Sequence, residues 1–171
     1  MPGSWGHLAA RFVDAVTARG LTPAEVRIVQ KWSGEGPMLS AFLAQPPLDQ
    51  RHGFDSASYV AARAPDRRDL IRAALLHDVG KRHAGLGPLG RVIASILIRL
   101  HFPLGPRFAL YRDHGRLAAA ELAGDDKVVV EFARHHHGSR PPDVDPGEWD
   151  LLLASDRARS PFGADRGGQG R

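Results

Sequence analysis

Histidine and aspartate are unevenly distributed along this chain. His77 is followed directly by Asp78, His135, His136 and His137 run consecutively, and Asp156 stands further on. The apolar periodicity around them puts the first pair at the end of one helix, the run at the end of a second, and Asp156 late in a third. Imidazoles and carboxylates converging from several directions are what a divalent ion needs, and adjacent helices of a bundle supply them where one helix cannot. Neighbouring helical positions point about 100° apart, so a His-Asp pair can flank an ion from two sides. A carboxylate there can also bridge two ions about 3.5–4 Å apart, the separation used in two-metal hydrolysis. Helix capping by a cation is the plainer account of both histidine sites, but it leaves Asp78 unexplained, because the helix dipole disfavours a carboxylate at that end.

These positions depend on a run of helices separated by Pro and Gly, with almost no β-branched alternation to suggest a strand; the fold class expected is all-α. A first helix is expected over residues 5–18, with Leu8, Phe12, Ala15 and Val16 on one face and Gly20 as its stop. Thr22-Pro23-Ala24-Glu25 combines a capping hydroxyl, a proline at the first helical position and a glutamate that reaches back, so a second helix starts there. A short helix follows over 38–43, then one over 48–63 carrying His52. Asp66 is expected to cap the next, which reaches His77 and Asp78 and stops at Gly80. Residues 85–90 read as a loop and 91–101 as a helix, and further helices are expected over 108–122, 125–136 and 146–157. The corresponding division is an N-terminal helical extension at 1–46, a main domain at 47–159 and a mobile, apolar-poor tail at 160–171.

Composition narrows the chemistry. The 171 residues contain no cysteine, which excludes disulfides, thiolate catalysis and sulfur-ligated metal, leaving nitrogen and oxygen donors. Lys and Arg number 23 against 19 acidic residues, a net charge of +4, so small anions are favoured but no polybasic run argues for nucleic acid. No basic segment followed by an apolar core opens the chain, and no stretch approaches the roughly 20 apolar residues of a membrane span, so a cytoplasmic location is expected. The most apolar segment, 92–104, is interrupted by Arg99, His101 and Pro103 and reads as a buried or surface-docked helix.

The segment Ala73-Ala74-Leu75-Leu76-His77-Asp78-Val79-Gly80-Lys81 resembles the signature of the HD superfamily of metal-dependent phosphohydrolases. The resemblance extends over about 52–156 and implies an HD-domain helical bundle. It pairs His52, in Asp49-Gln50-Arg51-His52-Gly53, with the histidine that opens the family's ligand set, and Asp156 with the aspartate that closes it. His52, His77, Asp78 and Asp156 would then hold a first ion. The two-metal members add a histidine in a segment similar to Asp113-His114-Gly115-Arg116-Leu117, and then a histidine pair. By this likeness Asp78, His114, His136 and His137 would hold a second ion, with His135 and His136 open to exchange within the run. The cyclic-dinucleotide phosphodiesterases of the superfamily follow that pair with glutamate and Gly-Tyr-Pro, whereas this chain reads Gly138-Ser139-Arg140-Pro141-Pro142, which argues against cleavage of cyclic di-GMP.

What the resemblance implies is one or two divalent ions per chain, with Mn, Mg, Fe, Zn, Ni and Co all compatible, acting on a small phosphoester or nucleotide. Lys81 and Arg82 follow the His-Asp pair, and Arg134 and Arg140 flank the histidine run, so these four are the cations expected to meet phosphate oxygens, Lys81 first. Asp78 or Asp156 would accept a proton from the attacking water. Two other functions suit the same residues: a di-iron oxygenase of the same fold, and a nucleotide-binding regulatory module without turnover. His7, His83 and His101 read as ordinary surface or core histidines. Gly85-Leu86-Gly87-Pro88-Leu89-Gly90 satisfies GxGxxG in form, but it follows a helix where a dinucleotide fold requires a strand, so it reads as a connection or substrate lid.

Overall fold

The computed structural model describes residues 20–158. Among them the structure is all-α: α1 (Pro23–Ser33), α2 (Pro37–Leu43), α3 (Pro47–Ala61), α4 (Arg68–Leu76), a 3-10 turn (Val79–Ala84), α5 (Pro88–Arg99), α6 (Pro106–Arg112), α7 (His114–Glu121), α8 (Lys127–His135) and α9 (Pro146–Arg157). The expected helix over 5–18 and the tail at 160–171 lie outside the described residues.

Proline sets many of the starts. α1, α2, α3, α5, α6 and α9 each begin with it, where its missing N–H costs nothing and its fixed φ suits the first turn. At α1 the capping box forms as expected: the Glu25 amide donates to Thr22 Oγ1 at 3.3 Å, and the Thr22 amide donates to Glu25 Oε2 at 2.7 Å.

α4 is the central element. It packs against α1, α3, α8 and α9, and Leu70, Ile71, Ala73, Ala74, Leu75 and Leu76 are all buried, which is a helix apolar on nearly every side and therefore enclosed on nearly every side. Phe42 from α2, Val29 from α1, Phe132 from α8, and Trp149 and Leu152 from α9 complete one continuous core, so residues 20–46 share the core of the rest. Burial of each large side chain here stabilises the fold by roughly 1.5–3 kcal/mol. A separate small cluster, Ala84, Leu86 and Ala94 with Phe108 and Tyr111 against it, joins α5 and α6 to the 3-10 turn.

Two glycines bring backbones unusually close. A Cβ on Gly53 would lie 2.7 Å from the Leu75 carbonyl oxygen, and one on Gly80 would lie 2.1 Å from that of His114. The first lets α3 cross α4 closely beside His52; the second seats the 3-10 turn on the start of α7.

Several boundaries differ from those expected. α4 stops at Leu76, with His77 as its C-cap and Asp78 leading into the 3-10 turn, so Gly80 does not end the helix. Its missing side chain serves the approach to His114, and the left-handed stop falls on Gly85, φ 56°. Asp66 does not cap α4: the N-cap position is Arg67, whose guanidinium bridges Asp69 and Glu148. The expected loop over 85–90 is shortened because Pro88 starts α5. The helix expected over 108–122 starts at Pro106 and divides at Asp113 into α6 and α7, where the His114 ring takes up the Tyr111 carbonyl.

Candidate metal centre

Three of the site histidines are held by the same local device. The last carbonyls of an α-helix have no amide partner within it, and an imidazole just beyond the end can supply one. His77 Nδ1–H donates to the Ala74 carbonyl at 2.9 Å at the end of α4, and His136 Nδ1–H to that of Ala133 at 3.0 Å at the end of α8. His114 Nδ1–H donates to Tyr111 at 2.6 Å, the last turn of α6. Each bond fixes the ring and the tautomer, leaving the Nε2 lone pair as an acceptor aimed away from the helix end.

These three Nε2 atoms and that of His52 meet around Asp78. His114 Nε2 lies 3.3 Å and His136 Nε2 3.5 Å from Asp78 Oδ1; His77 Nε2 lies 3.5 Å and His52 Nε2 3.8 Å from Asp78 Oδ2. Asp156 Oδ1, carried on α9, accepts from His52 Nε2 at 3.0 Å and lies 3.2 Å from His77 Nε2. The donors therefore form two groups on either side of one carboxylate. His52, His77 and Asp156 each offer an atom within 4.8 Å of the others, as do Asp78, His114, His136 and His137. Donors held at 2.0–2.2 Å by one ion stand about 3.0–3.5 Å apart, close to the spacing seen between several of these atoms.

The polar atoms themselves argue for an ion. His77 Nε2, His114 Nε2, His136 Nε2 and Asp78 Oδ1 are fully buried and make no hydrogen bond. Leaving such groups unmatched costs about 1–3 kcal/mol each, and a cation beside each group of donors would match them. The residues fit a divalent pair with all-nitrogen and oxygen ligation.

Electrostatics suit ligation at His77 and His137. Burial favours a charge-free imidazole at His77 and lowers its pKa. His137 is lowered to about 4 by burial and by its neighbours His136 and His114. Both rings are therefore neutral near pH 7, as metal ligation requires. At His52 burial is outweighed by the hydrogen bond to Asp156 and the charge of Asp78, and the pKa rises. Burial opposes the carboxylate charges of Asp78 and Asp156 as well, but Lys81 and His77 overcome it at the first, and His52 and His77 at the second, so both stay ionised.

The structure thus gathers His52, His77, Asp78, His114, His136, His137 and Asp156. Within the histidine run it separates His136, buried and turned to Asp78, from His135, whose Nε2 lies 3.5 Å from Glu131 on its own helix. Among the four cations, Lys81 is brought to the centre, its ammonium pairing closely with Asp78 Oδ2. Arg82 is instead engaged by Glu121 and the Val79 carbonyl, and Arg140 by the Pro141 and Val144 carbonyls of its own loop. Arg134 is exposed. Of the histidines set aside, His83 pairs with Glu121 at 2.5 Å and His101 is exposed in the α5–α6 turn, while His7 lies outside the described residues.

Sequence reasoning missed a buried pair beside the centre. Asp49, one turn before His52 on α3, accepts both Arg91 guanidinium nitrogens, at 2.5 and 2.6 Å. Burial opposes the Lys81 charge, but Asp78, Tyr111 and Asp49 together raise its pKa. The available signal was the i, i+3 spacing of Asp49 and His52, which places both on one helical face. Searches of family models, characterised proteins and solved structures returned no match for this chain.

Proposed function

We propose that this chain is a metal-dependent phosphohydrolase of the HD type, cleaving a phosphate mono- or diester, with nucleotides as the first substrates to try. One observation carries the reading: Asp78 turns one carboxylate oxygen to His114 and His136 and the other to His77 and His52, and Asp78 Oδ1 and the Nε2 atoms of His77, His114 and His136 are buried and unmatched. A carboxylate so placed would be able to bridge two ions.

His52, His77, Asp78 and Asp156 would hold one ion, and Asp78, His114, His136 and His137 the other. Divalent ions held there supply a water of lowered pKa and neutralise charge on a phosphoryl group. The protein contributes the rest. The helix-end carbonyls keep the imidazoles oriented, and Lys81, already at the centre, moves from Asp78 to a phosphate oxygen when substrate enters. Asp78 or Asp156 would accept the proton of the attacking water.

The test is a panel of nucleotides, cyclic nucleotides and nitrophenyl phosphate mono- and diesters, run with each candidate metal. Phosphate or nucleoside release is expected, reduced about 100-fold or more in His77→Ala and Asp78→Ala. Lys81→Ala should retain its metal and lose turnover. No product from any substrate would sink the proposal; tight nucleotide binding without turnover would favour a regulatory module, and bound iron with an oxygen-sensitive visible spectrum a di-iron oxygenase.

A further inference from the structure

The α5–α6 hairpin is built unlike the rest of the molecule. Between Asp78 and Asp113 the chain has no acidic residue, and it carries Lys81, Arg82, Arg91, Arg99, Arg107 and Arg112. Four of these are matched by carboxylates elsewhere: Lys81 by Asp78, Arg82 by Glu121, Arg91 by Asp49 and Arg112 by Asp113. Arg107 donates to the neutral carbonyls of Ala84 and Gly85 and keeps its charge uncompensated, and Arg99 is exposed at the end of α5. The hairpin's surplus is positive.

Several of its apolar residues face outward. Leu89 is 63% exposed, Ile93 41%, Leu100 60% and Phe102 59%, and Ala94 is the one buried side chain among those described in α5. The turn that presents Leu100 and Phe102 is ordered by backbone bonds. His101 adopts a left-handed φ of 53°, its amide donates to the Ile98 carbonyl at 3.2 Å, and the Phe102 amide donates to Leu97 at 3.0 Å, a Schellman closure. Two large apolar side chains are thereby presented at the tip next to Arg99.

We propose that this tip docks on an anionic lipid bilayer, with Leu100 and Phe102 entering the interface and Arg99 against the headgroups. An apolar face flanked by arginine is the composition of an interfacial helix, and at 12 residues α5 is too short to cross. Charge selects this occupant over the others. A second copy placed face to face about a twofold axis would set arginine against arginine with no carboxylate in the patch to answer it. The chain's own ends do not complement it either, since residues 1–19 carry Arg11 and Arg19 against Asp14, and residues 159–171 carry Arg159, Arg166 and Arg171 against Asp165.

The experiment is flotation of the full chain with vesicles of phosphatidylcholine alone or with about a third phosphatidylglycerol, at low and high salt. Binding is expected to the anionic vesicles, to weaken with salt, and to fall about fivefold or more in Arg99→Glu, as removal of a surface cation predicts. Leu100→Ser/Phe102→Ser should reduce it to background with circular dichroism unchanged. Docking is independent of the metal centre, so Asp78→Ala that remains folded should still float. Equal binding to neutral vesicles, no binding to either, or a concentration-dependent dimer abolished by Leu100→Ser/Phe102→Ser would overturn the proposal, the last assigning the patch to a second copy.

Discussion

α4 and α5 are both rich in leucine, isoleucine and alanine, yet one lies at the centre of the core and the other on its edge. α4 is enclosed by α1, α3, α8 and α9 and ends in His77, whereas α5 meets α6 and a small satellite cluster and leaves its leucines and isoleucines partly or largely in water. Apolar content alone does not decide burial; the number of partner helices does. Only the enclosed helix has the rigidity to hold ligands in place, and only the edge helix has surface to offer a partner.

The contrast is broken most directly by one substitution made twice. Leu75→Ala, in the enclosed helix, should cost about 2–5 kcal/mol in chemical denaturation. Leu100→Ala, at the hairpin tip, should change stability by less than about 0.5 kcal/mol; comparable losses would mean that the two regions do not differ as described. Between these extremes, Gly80→Ala forces a methyl group against the His114 carbonyl and should cost about 1–3 kcal/mol. It should also weaken metal retention, because the backbone that must shift carries a ligand on each side.

A smaller effect concerns the docking of α1 on α3. Arg51 holds the Glu25 carboxyl down to about 2 from its ordinary 4.5. A lowered carboxylate pKa contributes stability that is present above the unfolded value and lost as pH falls through the folded one. Denaturation between about pH 4.5 and about pH 2 should therefore show a loss near this pair, kept to about 1 kcal/mol by solvent screening at a partly exposed site. Glu25→Gln should flatten that part of the profile.

Much of the bundle was legible because its signals are local. Thr22-Pro23-Ala24-Glu25 dictates the start of α1, and the prolines mark most other starts to within a few residues. His77, Asp78, His136 and His137 were legible as candidate site residues because they occupy helix ends, where ordinary packing has little use for them, whereas His52 and His114 were legible only through the family resemblance. What escaped was decided by contacts distant in sequence. Gly80 looks like a helix stop until His114 is seen against it, and Arg82 looks free until Glu121 is placed beside it. The Asp49–Arg91 pair has the same origin, since it joins α3 to α5 across 42 residues of sequence.

The central claim is that Asp78 joins two ion sites, and metal content per chain, measured by plasma mass spectrometry on wild type, His136→Ala and Asp78→Ala, tests it most directly. About two ions in wild type, about one in His136→Ala and close to none in Asp78→Ala is the predicted series. Wild type that takes up no metal after reconstitution, or Asp78→Ala that keeps both ions, would contradict it.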